Sequence, residues 1–256
     1  MRGTYKSEVN IIISISGFWN DLNQIRELID INCKYRLTEN FLIHKKEDEE
    51  FIFHFDNQKS TTNSISTPSG LNLLKQDDKD NTDKQRSTVY LMINGGSIEN
   101  AKKIMLAANC FLNIGGYEVK IETVGITHSK ETWKKFIEND RLMDLIFAFV
   151  VTLRSDKENS YVTCGMHNLG HPDVIVPGYL DYDQANYLAK AFLYYIIKYN
   201  RVFCSGDKFR IDENSTNIYR ITYEECHIYD NYDNLVYQLV HNPYGLWRLT
   251  ETNLFF

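Results

Sequence analysis

NIIISISGFWNDLNQIRELIDINC, Asn10–Cys33, is the stretch whose reading decides the fold. Asn10–Ser16 is apolar nearly throughout, and a short run of that kind reads as a strand buried on both faces. Gly17 breaks it. Leu22, Ile25, Leu28 and Ile29 then recur at helical spacing, with Asn20 or Asp21 placed to cap the helix. The unit is therefore strand, glycine turn, amphipathic helix.

The same unit recurs downstream. Thr88–Ile93 (TVYLMI) reads as a buried strand, Asn94-Gly95-Gly96 turns it, and Ser97 caps a helix over Asn100–Leu112. Ile104, Ala107, Ala108 and Phe111 share one face of that helix, and Gly115-Gly116 stands where a helix ends. The recurrence is compatible with a duplicated strand-turn-helix unit. Between the two units, Arg36–His44 and Glu49–Asp56 read as strands. In the second, Phe51, Phe53 and Phe55 alternate with Ile52 and His54, and the acidic run Glu47–Glu50 makes a hairpin tip.

Lys59–Arg86 is mostly Ser, Thr, Asn, Asp and Lys, too polar to offset the entropy of ordering it. It predicts a linker, and with it three parts: a strand-helix-hairpin piece over 1–58, the linker over 59–86 and a main domain over 87–256.

In the last part, Tyr117–Gly125 reads as a strand and Ser129 caps a short helix. Leu142–Leu153 fits either a helix or a strand; its LIFAFVVTL is β-rich, which favours one arm of a hairpin turning at Lys157-Glu158-Asn159. Tyr182–Tyr199 is a long helix, capped by Asp181 or Asp183, with Ala185, Leu188, Ala189, Phe192, Ile196 and Tyr199 facing inward. Asp207–Ile211, Ile218–Tyr223 and Leu246–Thr250 read as late strands. Strands and helices mix without strict alternation. The expected class is α+β, with mixed, mostly antiparallel sheets and helices packed on one face.

The chain has 256 residues, 43% hydrophobic and 24% charged, with a net charge of −6. That suits a globular protein with a sizeable core. The acidic balance and the lack of a basic stripe argue against a nucleic-acid partner. No run nears the roughly 18 apolar residues of a membrane span, and the short N-terminal apolar run reads better as a strand than as a signal peptide. The five cysteines, Cys33, Cys110, Cys164, Cys204 and Cys226, are scattered and odd in number. Free thiols in the cytoplasm are the expectation.

YVTCGMHNLGHPDVIVPG, Tyr161–Gly178, concentrates chemistry-bearing side chains. Cys164, His167, His171 and Asp173 are metal-ligand types, but a structural zinc needs paired, close-spaced couples and no second couple exists; Cys204 and Cys226-His227 are isolated. Strand alternation also puts Cys164 and His167 on opposite faces unless Gly165 bends the chain. A nucleophilic Cys164 paired with His128, His167 or His241 needs an environment that lowers its pKa, and no helix starts there. No G-x-S-x-G elbow is present. Asn94-Gly95-Gly96-Ser97 lacks the further glycines or the Lys of a phosphate loop. Asp181, Asp183, Glu224 and Glu225 are carboxylates that nothing singles out as a catalytic pair. In HNPYGLWRLT, His241–Thr250, a turn at Asn242-Pro243 leads into a docked strand; the sharper reading has Arg248 and His241 converging with His167.

Three stretches carry a resemblance. GGYEVKIETVGITHSKETW (Gly115–Trp133), YVTCGMHNLGHPD (Tyr161–Asp173) and NPYGLWRLT (Asn242–Thr250) resemble a mostly bacterial domain-of-unknown-function family, number four-two-six-one. The resemblance runs from the first strand to the end, with the 59–86 segment outside it. It implies no activity, cofactor or catalytic residue, and an association with bacterial accessory and toxin-neutralising proteins.

Two functions follow as expectations. The first is a non-enzymatic cytoplasmic protein-interaction module of the immunity type, with a toxin as partner, many tyrosines for an interface and no cofactor. The alternative is a hydrolase-like or metal-dependent enzyme whose pocket is built from His128, His167, His171 and Arg248. Convergence of those four side chains in one concavity discriminates the two.

Overall fold

The computed structural model describes residues 9–57, 87–155, 159–226 and 241–252. The 59–86 segment, His227 and the Lys157-Glu158 turn lie outside the described residues. Among the described residues the fold is α+β, with five helices and two sheets, one wholly and one mostly antiparallel. Glu8–Asp140 forms one compact unit and Arg141–Phe256 a second.

The N-terminal unit is a seven-stranded antiparallel sheet. Its strands are β1 (Asn10–Gly17), β2 (Tyr35–Leu37), β3 (Phe41–His44), β4 (Glu50–Asp56), β5 (Ser87–Asn94), β6 (Gly116–Ile121) and β7 (Ile126–Ser129), in the order β2-β3-β4-β5-β1-β6-β7. β1 pairs with β5 on one side and β6 on the other. This corrects the expected division at 59–86. β1 alone cannot satisfy its backbone or cover its apolar side chains, and both partners come from beyond that segment. The boundary falls at Asp140 instead.

β1 is buried on both faces from Ile13 to Gly17, as expected, but only one of the two faces is apolar. Ile11, Ile13 and Ile15 are fully buried on one face, level with Val89, Leu91, Val119 and Ile121. Ser14 and Ser16 point the other way and donate to Glu122 (2.5 Å) and Glu118 (2.7 Å). The strand thus alternates apolar and polar side chains, and the buried serines are satisfied by the two carboxylates.

Three helices cover the isoleucine face: α1 (Leu22–Asn32), α2 (Ile98–Asn113) and α3 (Lys130–Asn139). Asp21 caps α1, accepting from the Gln24 N–H at 2.9 Å; Ser97 caps α2 and Ser129 caps α3. Phe111 of α2 stacks on Phe53 of β4 and meets Trp19 edge-on. Trp19 donates its indole N–H to the Ile114 carbonyl (2.8 Å), so its large ring is buried without leaving its donor unpaired.

Two local readings are corrected here. Arg36–His44 is two strands, because Thr38 turns the chain: its N–H and the Phe41 carbonyl pair at 2.9 Å, and its Oγ1 bonds both backbone groups of Phe41. Cys33 and Cys110 are not free thiols but a disulfide, with Cα atoms 6.0 Å apart, that clasps the end of α1 to α2. With it goes the argument from scattered thiols for a reducing compartment.

The C-terminal unit has α4 (Leu142–Phe149), β8 (Val151–Ser155), β9 (Ser160–Cys164), a 3-10 turn (Met166–Leu169), β10 (Asp173–Pro177), α5 (Tyr182–Tyr199), β11 (Lys208–Phe209), β12 (Tyr219–Glu224) and β13 (Leu246–Glu251). Sheet order is β11-β12-β13-β10-β9-β8, with β10 and β13 parallel. The hairpin expected over Leu142–Leu153 is half right. Val151–Ser155 does pair with β9, but Leu142–Phe149 is helical. Short apolar runs fit a buried helix or a buried strand equally well by periodicity. The strand expected over Asp207–Ile211 shrinks to two residues. Asp181 caps α5 in a full capping box with Gln184.

Gly245 admits β13 to the sheet. Its φ is +84°, and an added Cβ would stand 2.7 Å from the Glu224 carbonyl oxygen and closer still to the Tyr223 hydroxyl. Gly245→Ala is expected to cost about 2–3 kcal/mol from the left-handed backbone and the backbone contact together. Urea denaturation checks this; a loss under about 0.5 kcal/mol, the level of an ordinary surface change, would refute it.

Candidate functional site

Tyr161–Gly178 folds as a strand, a tight turn and a strand. Gly165, at φ +124°, bends the chain as β9 ends and lets it wind into the 3-10 turn. Asp173, at the start of β10, is buried and accepts from Thr163 Oγ1 (2.8 Å), Asn242 Nδ2 (2.6 Å) and the Met166 N–H (3.3 Å). Asn242 also donates to the His171 carbonyl (3.0 Å). Thr163 in turn accepts from the Val174 N–H at 2.9 Å. Two of the stretches that carry the family resemblance thus meet at Asp173 and Asn242, beside the parallel pairing of β10 with β13. Burial raises the Asp173 carboxyl to about 6 against the pull of these donors. The arrangement ties the last strand to the sheet and leaves no carboxylate oxygen facing solvent.

The histidines are dispersed. His128 belongs to the N-terminal unit, in β7, buried against Trp133 and Phe136 of α3. His167 is fully buried in the 3-10 turn of the C-terminal unit, and among the described residues neither ring nitrogen has a hydrogen-bond partner. Burial, with His241 adding a smaller push, lowers its pKa to about 4, so it is neutral at physiological pH. His171 is half-buried and also lowered by burial. Arg248 is engaged by Glu224 through two charge-assisted bonds of 2.5 and 2.9 Å. It lines a cleft of about 280 Å³ with Tyr179 and Glu251, which hydrogen-bond each other; none of the histidines lines that cleft. Cys164 is buried in β9, and among the described residues no three His, Cys, Asp or Glu side chains gather as a metal site. Among the described residues the four named for a metal form no such group, and none of His128, His167 and His171 lines the cleft that holds Arg248.

A different concavity stands out. A cleft of about 500 Å³ lies over α4, α5 and β11, lined by Met143, Phe147, Lys190, Tyr194, Phe209 and neighbours. α5 builds it with two adjacent rows at i, i+4 spacing. One runs Tyr182, Asn186, Lys190, Tyr194; the other Tyr187, Ala191, Tyr195, Tyr199. The opposite face of α5, with Leu188, Ala189, Phe192 and Ile196, is buried in the core. Tyr199, expected to face inward, is 59% exposed, and Tyr187 is 64% exposed.

The cleft wall is stiff. Tyr195 packs against Tyr199, Phe203 and Phe209 with ring centroids 4.9 to 6.0 Å apart. Thr152 of β8 bonds Asn186 (2.9 Å), pinning the helix to the sheet. Lys190 reaches along this wall to sit 4.0 Å above the Phe147 ring. Burial lowers its ammonium pKa to about 8.

Comparison with family models, curated proteins and solved structures finds no match for this chain.

Sequence reasoning passed over Lys190 and the outer face of α5. One signal was present: five tyrosines in the 18 residues of α5, a density that the inward face alone does not require. What hid the cleft is α4. Read as a strand, Leu142–Phe149 offers no helix for α5 to groove against.

Proposed function

We propose that this protein is a protein-interaction module whose C-terminal unit meets its partner through the aromatic cleft on α4 and α5. The observation that carries the reading is the cluster of exposed large side chains there. Phe147, Tyr182, Tyr187 and Tyr199 all stand in solvent on or beside one cleft. Tyrosine offers large contact area with few rotatable bonds and is enriched at interface cores. The helix that bears them spans about 27 Å, the scale of a protein contact rather than of a metabolite. The immunity-type role, with a toxin as the partner, rests on the family resemblance and the acidic composition.

A photo-crosslinking amino acid placed at Tyr187 tests this in cells of the protein's source. A discrete adduct with one protein is expected, absent when the same probe replaces exposed Ile52 of β4 in the N-terminal unit. Equal adducts at both positions, or none at Tyr187, would refute the cleft as the interface.

A further inference from the structure

Lys190 is misplaced for a lysine that serves only the fold. A solvated ammonium needs no special place, whereas this one is largely withdrawn from water over a phenylalanine ring. Among the described residues no carboxylate lines the cleft and none pairs with Lys190. That is unusual in a chain with 34 acidic residues against 28 basic ones. Lys198, one turn beyond Tyr194 on the same row of α5, adds a second cation over the Tyr194 and Tyr199 rings. The aromatic walls keep water and counter-ions at a distance, so a charge brought from outside would be felt strongly. Leaving a desolvated cation without an anion is costly, and a partner's carboxylate relieves that cost on binding.

We infer that the cleft takes an acidic, aromatic-bearing segment of a protein partner, with one partner carboxylate seated on Lys190 and an adjacent apolar side chain against Phe147 and Phe209. The inference rests on the interaction reading above and names the chemistry of the segment that binds. A protein segment rather than a free metabolite is favoured by the extent of the surface. The aromatic rows continue past the cleft to Tyr182 at one end of α5, and Val202, just past its other end, is 85% exposed. A small carboxylate would cover only the middle of it.

The test uses the purified full-length protein and two pools of fluorescein-labelled decapeptides. In one pool every peptide carries Glu beside Phe, Tyr or Trp; in the other Gln replaces Glu. Fluorescence polarisation is expected to show the Glu pool binding at least tenfold tighter, with the preference shrinking at high salt. Lys190→Gln should bring the Glu pool down to the Gln pool, and Lys190→Arg should keep most of the preference. Helix content by circular dichroism confirms that both variants fold; Lys190 lines the cleft on the side of α5 away from the buried Leu188, Ala189, Phe192 and Ile196, so neither change enters the core. Equal binding of the two pools, an unchanged preference in Lys190→Gln, or no binding by either pool overturns the inference. Displacement of the peptides by N-acetylglutamate at matching concentration also overturns it, in favour of a small-molecule site. Equal binding that Tyr187→Ala abolishes removes the carboxylate while leaving the interaction reading intact. Absence of any adduct in the crosslinking experiment removes the interaction reading itself.

Discussion

Cys110→Ser is expected to lower the unfolding free energy by about 4 kcal/mol. The bond joins residues 77 apart in sequence, and closing a loop of that length in the unfolded chain removes about that much conformational freedom. Both ends sit on helices over the same sheet face, so the native state already holds them close: the Cα atoms are 6.0 Å apart, a separation ordinary for disulfides. Cys110 is buried in α2, and Cys33 closes α1 with its N–H on the Ile29 carbonyl at 2.9 Å. Urea denaturation of the oxidised protein, of the protein in dithiothreitol and of Cys110→Ser checks this. The reduced wild type should coincide with the variant, and dithiothreitol should not move the variant further. A wild-type curve indifferent to reductant would refute the prediction.

The second large effect is hidden in the wild type and exposed by two variants. Asp173 has its folded-state pKa raised from 3.8 to about 6 by burial. Between those values the folded state binds more protons than the unfolded one. The stability this contributes is full below pH 4 and lost as pH rises through 6. His167 is the reverse, lowered from 6.5 to about 4, again chiefly by burial. In that window the unfolded state binds more protons, so the contribution is full above pH 6.5 and lost as pH falls through 4. Each amounts to about 3 kcal/mol at the usual conversion. The two have opposite signs over nearly one window and cancel. Asp173→Asn is therefore expected to make stability climb by about 3 kcal/mol, relative to wild type, from pH 4 to pH 6.5. His167→Leu is expected to make it fall by a similar amount over the same range. Urea denaturation at four pH values between 4 and 7 reads both slopes. Curves for the two variants that run parallel to wild type would show that neither group is desolvated as described.

The pair also shows what the most chemically loaded stretch of the chain does in the fold. Cys164, His167, His171 and Asp173 are dense in sequence because a strand, a glycine-led turn and a second strand follow one another quickly. Their side chains serve separate ends: a buried thiol, a buried neutral imidazole, a half-buried ring and a carboxylate locked to Asn242. Ligand spacing along a chain carries information only when the backbone brings the atoms to one point, and the bend at Gly165 does not.

What the sequence by itself determined is local. Asp21, Ser97, Ser129 and Asp181 cap their helices because a short oxygen side chain at that position reaches an orphan N–H three residues on, whatever the rest of the protein does. The α+β class follows from the same kind of information, the mixture of two- and 3.6-residue periods. What only tertiary structure decided is non-local. β1 finds its partners from beyond residue 86 because an isolated strand leaves its backbone N–H and C=O groups unpaired. Cys33 meets Cys110 because α1 and α2 share one sheet face. Leu142–Phe149 becomes a helix because α5 offers a side to pack on. Lys190 gains its setting only once Phe147 is beneath it, since desolvation belongs to the surroundings of a residue and not to its place in the chain.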